Sequence, residues 1–172
     1  MKNGELIGEM IAWEEGSPKR INHFLKVYGL AKAIASREQL SSTTMNIVET
    51  AAILHDIGIK PCLEKYGSCQ GPQQEEEGEK ACRALMERCG YTDKEFVDRI
   101  CWLVAHHHSY DNVQDIDLQI LIEADFLVNL DEKQADEAAI EKVRDDHCLL
   151  YTSPPTAAEP ECHKPPLHHA WR

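Results

Sequence analysis

Along most of this chain apolar residues recur every three or four positions, the period of a helix with one buried face. Leu6, Met10 and Trp13 predict a short helix over 5–13, broken at Gly16. Ser17 as N-cap and Pro18 at the first helical position then open a longer one. Arg20, His23, Val27, Leu30 and Ile34 form one stripe along it. A third helix, capped within 41–44, carries Ile47, Val48, Ala51, Ala52 and Leu54 and closes near Gly58. Residues 60–72 read as a loop, because Pro61, Gly67, Gly71 and Pro72 are breakers. A helix over 75–88 ends at Cys89-Gly90, and Thr92 with Glu95 forms a capping box for the next. That helix aligns Phe96, Ile100, Leu103, Val104 and His107, and two more are predicted over 117–130 and 132–144. No stretch alternates as a strand does, so the expected fold is all-α, a bundle of about seven helices.

The pattern stops near residue 150. Residues 153–172 hold five of the eight prolines and no apolar period, which predicts an extended or disordered tail. The expected organisation is one domain over 1–150 and a Pro/His-rich tail over 151–172. So abrupt a change carries the expectation that the tail is not the domain's natural end.

Composition narrows the function. Eighteen Lys plus Arg against thirty Asp plus Glu give a net charge of −12, a surface that repels phosphate backbones and argues against extended nucleic-acid binding. No apolar run approaches the ~20 residues of a membrane span, and residues 1–10 lack a cleavable leader pattern. A cytoplasmic protein without membrane partners is expected, compatible with homo-oligomers. The seven cysteines include no Cys-x-x-Cys pair and read as reduced thiols.

The histidines and aspartates say more. His23 lies on the Val27/Leu30/Ile34 stripe, and His55 continues the face of Val48, Ala51 and Ala52, with Asp56 next. Asp125 shares a face with Leu118, Leu121 and Ile122. Carboxylates are rarely buried without a partner. Taken singly, each residue is more often a satisfied core histidine or an ion-pair partner. Two imidazoles and two carboxylates arriving from three helices at one core are costly unless a cation meets them, and a divalent metal does so.

His23, the doublet in Ile53-Leu54-His55-Asp56-Ile57-Gly58, and Asp125 in Glu123-Ala124-Asp125-Phe126-Leu127 resemble the H…HD…D signature of the HD-domain metal-dependent phosphohydrolases, over roughly residues 17–145. The resemblance implies an all-helical fold in which His23, His55, Asp56 and Asp125 are metal ligands. The run His106-His107-His108-Ser109-Tyr110-Asp111 is similar to the His-His-Glu-x-x-Asp run of the HD-GYP branch, whose paired histidines bind additional metal. Carried over, His106 and His107 become candidates for a second ion. His107 ranks first because it shares the Ile100/Leu103/Val104 face, and His108 ranks last. His108 stands where that branch has Glu, Asn112 replaces its Gly, and no Gly-Tyr-Pro follows, so cyclic-di-GMP hydrolysis is not carried over. Glu75, Glu76 and Glu77 fall where that branch has a metal-binding His, but an acidic run there reads first as a solvated helix start.

Asp56, Lys60 and Arg20 are the candidates for catalytic roles. Lys60 closes His-Asp-Ile-Gly-Ile-Lys, and Arg20 sits one turn before His23. Both can hold phosphate oxygens, Arg as a fork and Lys as a point charge, or simply be surface cations. Mixed imidazole and carboxylate ligands suit Mn, Fe, Co, Ni or Zn, as one or two ions. The expected function is hydrolysis of a small phosphorylated substrate, such as a nucleotide, by metal-activated water. A non-catalytic HD-like binding module is the alternative, and a di-iron HD oxygenase comes third.

Overall fold

The computed structural model describes residues 3–111 and 113–150. Those residues form eight helices and no strand: α1 (Asn3–Trp13), α2 (Pro18–Ala35), α3 (Ser42–Leu54), α4 (Ile59–Tyr66), α5 (Gly71–Arg88), α6 (Lys94–Val104), α7 (Ile116–Glu132) and α8 (Glu137–His147). The all-α expectation holds. The expected tail over 151–172 lies outside the described residues. Among the described residues, no helix is long and apolar enough to cross a membrane.

Local chemistry explains most boundaries. Pro18 starts α2 where its missing N–H costs nothing. The Ser41 hydroxyl accepts from the Thr44 N–H at 3.0 Å and caps α3. Three boundaries differ from the sequence expectation. The segment read as a loop contains α4, because Pro61 falls in its first turn, where a proline is tolerated. Gly67, at φ 71°, then closes α4 by donating to the Leu63 carbonyl. Asp93, not Thr92, caps α6 by accepting from the Phe96 N–H at 3.1 Å. Finally, α7 runs on to Glu132, and α8 begins only after Asp136, whose carboxylate caps it.

The axis of the bundle is α3, buried from Val48 to Leu54 without a break. It packs against α1, α2, α6 and α7, while α2 also packs on α7, and α5 on α4 and α6. Leu6, Met10, Phe24, Val27, Ile34, Ile53, Leu85, Met86, Ile100, Leu103, Ile120 and Leu121 fill the common core. One contact fixes the turn after α3 against α5. A Cβ on Gly58 would stand 2.2 Å from the Gln74 carbonyl oxygen and 2.7 Å from the Gly78 Cα. Only glycine permits that approach, which brings the first turns of α5 up to His55-Asp56.

Candidate metal centre

Four elements deliver donor atoms to one place. His23 projects from the middle of α2, His55 is the C-cap of α3, Asp56 follows it in the turn, and Asp125 comes from α7. Nε2 of His23 and Nε2 of His55 are 3.3 Å apart. Asp56 Oδ2 lies 3.4 Å from the first and 3.5 Å from the second. Asp125 Oδ1 lies 3.0 and 3.7 Å from the same two nitrogens. One donor atom each from His23, His55 and Asp56 falls within a 4.8 Å span, compact enough for a single ion. The structure thus brings together all four residues of the H…HD…D pattern.

The ring orientations test whether a metal fits. His55 Nδ1 donates to the Ala52 carbonyl at 2.9 Å, and His23 Nδ1 faces Glu132 Oε2 at 3.1 Å. Each contact fixes the hydrogen on Nδ1 and leaves Nε2 bare in the neutral ring. Two bare nitrogens then face one another and two carboxylates, an arrangement stable only with a cation, or extra protons, between them. Protons are the metal-free answer. Burial alone lowers the His55 pKa, but the charges of Asp56 and Asp125 outweigh it and raise the value from 6.5 to about 9. His23 is also raised: burial opposes, and its contact with Asp125 prevails. Burial pushes Asp56 up, yet the neighbouring His55 charge brings it down to about 2, and Asp125 is likewise held well below the usual carboxylate range. A donor set this anionic and this buried fits a divalent ion.

The candidate ligands are held from behind. Glu132 orients His23, the Gln74 amide donates to Asp56 Oδ1 at 2.6 Å, and the Asn129 amide donates to Asp125 Oδ1 at 2.9 Å. Such outer contacts set ligand geometry and basicity. None of the three stood out in the sequence. Asn129 was findable, one turn after Asp125 on the same face of α7. Glu132 was hidden by a helix boundary drawn too early.

The triple-histidine run separates sharply. His106 turns away: its Nδ1 donates to the Trp102 carbonyl at 2.7 Å and its ring stacks on Trp102 at 4.3 Å. Its Nδ1 is thus engaged with the backbone of α6 and its ring is held against Trp102. His107 turns inward, nearly fully buried. Its Nδ1 donates to the Val104 carbonyl at 2.8 Å, while its Nε2 has no hydrogen-bond partner and lies 3.7 Å from Asp56 Oδ1. His108, ranked last from sequence, is beside it, with a buried, partnerless Nδ1 4.0 Å from Glu75 Oε1. Burial and the neighbouring His107 lower the His108 pKa to about 4, so the ring is neutral. Of the acidic run, Glu75 is the residue drawn in; its carboxylate also accepts from the His108 N–H at 3.2 Å. Glu76 and Glu77 bind Lys80 and Lys65 on the surface.

The two cations expected to hold phosphate have structural partners. Arg20 Nε donates to the buried Glu14 at 2.5 Å. Lys60 Nζ donates to the Trp13 carbonyl at 2.9 Å and lies 5.8 Å from the centre of the Trp13 ring. Arg20 thereby ties the start of α2 to the turn after α1, and Lys60 ties the start of α4 to the end of α1.

The comparisons agree with this geometry. The HD domain family model matches residues 20–130. A crystal structure of a predicted HD superfamily hydrolase from an uncultured Thermotogales bacterium shares the fold, with a TM-score of 0.59 and 22% identity over 84% of each chain. Among curated proteins, none matches. With the helical bundle, the four converging ligand-type residues and a family match over most of the bundle on the page, this chain belongs to the HD-domain family.

Proposed function

We propose that this protein is a metal-dependent phosphohydrolase acting on a nucleotide or another small phosphoester. The observation that carries the reading is the convergence of His23, His55, Asp56 and Asp125 around one point, with the Nδ1 of each ring engaged away from the cluster and each Nε2 turned into it. These four residues would hold a first divalent ion. Asp56 Oδ1, the orphaned nitrogens of His107 and His108, and Glu75 line the adjacent space and would hold a second. Ions bound there supply Lewis acidity toward phosphoryl oxygens and a water acidic enough to attack near neutral pH.

The chain's own groups prepare that chemistry. The Ala52 carbonyl and Glu132 keep the hydrogens of His55 and His23 on Nδ1, so neither ring loses its ligand tautomer. Gln74 and Asn129 fix Asp56 and Asp125, reducing the reorganisation needed when charge builds on the phosphoryl group. Burial of His55 and His107 keeps bulk water from the inner side of the cluster, so substrate enters over the partly exposed edges of Asp56 and Asp125.

The test is elemental analysis of protein purified without chelators, followed by a panel of nucleotides and simple phosphoesters. Bound transition metal and phosphate release that both vanish in His55→Ala and Asp125→Ala are expected. Metal-free protein, or turnover retained in those variants with the helical fold intact, would overturn the reading.

A further inference from the structure

Gln74 supports Asp56, and the side chain that supports Gln74 in turn is a cysteine. An ionised carboxylate can only accept, so the Gln74 amide must present its nitrogen to Asp56 Oδ1, where it donates at 2.6 Å. The amide oxygen then points the other way, and there Cys69 Sγ donates to Oε1 at 3.6 Å. Gln74 is buried, and a buried amide oxygen left without a donor costs free energy. Among the described residues, the Cys69 thiol supplies that donor.

Backbone and side chain of Gln74 are fixed separately. Its carbonyl is pressed against Gly58, which settles where the backbone of α5 lies. The side-chain torsions remain, and the amide is clamped at its two ends by Asp56 and Cys69. The place of Cys69 follows from the end of α4. Gly67, at φ 71°, turns the chain back, and the buried Cys62 donates from Sγ to the Ser68 carbonyl at 3.5 Å, pinning the residue before Cys69. Burial, then contact with the Cys62 thiol, pushes the Cys69 pKa up to about 12. Near neutral pH the sulfur therefore keeps the hydrogen it donates, and it makes a poor nucleophile.

We propose that Cys69 is a positioning residue of the metal centre: its thiol fixes the Gln74 amide, and through that amide the rotation of the Asp56 carboxylate. That rotation matters because the two oxygens of Asp56 serve different sides of the cluster. Oδ2 lies 3.4 Å from His23 Nε2 and 3.5 Å from His55 Nε2, while Oδ1 lies 3.7 Å from His107 Nε2. An amide anchored on Oδ1 holds both in register. The assignment rests on reading the cluster as a metal centre.

Two readouts test it, one of them without metal. In metal-free protein the side-chain amide resonances of Gln74, assigned with Gln74→Ala, should move in Cys69→Ala and return most of the way in Cys69→Ser, which keeps a donor. The second is affinity for Mn2+, an ion that thiols bind poorly, with free ion read from its paramagnetic resonance signal. Affinity should fall about three- to tenfold in Cys69→Ala, the worth of one neutral hydrogen bond, and less in Cys69→Ser. Because the thiol acts through the amide, adding Cys69→Ala to Gln74→Ala should cost nothing further. Additive losses in the double variant would overturn the proposal, as would unmoved Gln74 resonances or unchanged affinity in Cys69→Ala. Resonances that respond to Cys69 in a protein that binds no metal ion in any variant would instead remove the metal reading and leave the thiol's hold on Gln74 standing.

Discussion

Nδ1 of His23 and Oε2 of Glu132, 109 positions apart in sequence, face each other at 3.1 Å. The contact ties the end of α7 to the middle of α2 and fixes which nitrogen of His23 points at the cluster. A carboxylate behind a metal-binding histidine typically changes metal affinity ~10–100-fold when removed. Glu132→Ala should therefore weaken metal binding by about that factor, measured by competition with a chromophoric chelator. Glu132→Gln keeps an acceptor oxygen and should lose less. Equal affinity in all three proteins would mean the contact does not orient the ligand.

Removing metal should expose the protonation of the cluster. In the chelated protein the His55 pKa stands at about 9, above the 6.5 of a free histidine. A group raised on folding stabilises fully below its unfolded value and loses that contribution as pH rises through its folded one. The chelated protein should therefore melt at falling temperature from about pH 6.5 to 9. Asp56, lowered from 3.8 to about 2, acts in the opposite sense: its contribution is present above pH 4 and fades as pH drops toward 2. Metal takes the place of the proton, so the loaded protein should show a flat melting temperature from pH 6.5 to 9 and release its ions on acidification. Thermal scans with and without chelator across that range check both halves.

The close approach at Gly58 makes a prediction about stability and site together. Gly58→Ala sets a methyl 2.2 Å from a backbone oxygen, which no rotamer relieves. Forced overpacking of this kind costs about 1–3 kcal/mol, and α5 must move away, taking Gln74 from Asp56. Chemical denaturation should show the loss, and metal affinity should fall with it. Gly78→Ala meets a side-chain methyl of Val104 at 3.0 Å, which can shift, and should cost less. Parity between the two variants would show that the α3–α5 contact is not tight.

The helical stripes and the order of His23, His55-Asp56 and Asp125 were legible because periodicity and doublets are local patterns. What escaped depended on ring direction or on an exact helix end. His106, His107 and His108 share a histidine-rich turn, and only the carbonyls that capture each Nδ1, or fail to, decide which ring faces inward. Residue 132 reads equally well as the end of one helix or the start of another, and that single choice concealed the support of His23. α4 was missed because Pro61 and Pro72, taken for breakers, both occupy first turns, where the helix has no N–H to lose.

The triple-histidine turn supplies the sharpest test of a second ion. His107 offers a bare, buried Nε2 facing Asp56, and His108 a neutral ring with a partnerless Nδ1 near Glu75. His106 has its Nδ1 engaged with Trp102 and its ring stacked there. Elemental analysis should find two ions per chain in wild type and in His106→Ala, but close to one in His107→Ala and His108→Ala, with turnover following the metal count. Near-neutral loss in His106→Ala serves as the control for folding, since that turn and its neighbours are otherwise shared. A single ion in wild type, unchanged by His107→Ala, would leave those two nitrogens without a metal to bind and reduce the centre to the four residues His23, His55, Asp56 and Asp125.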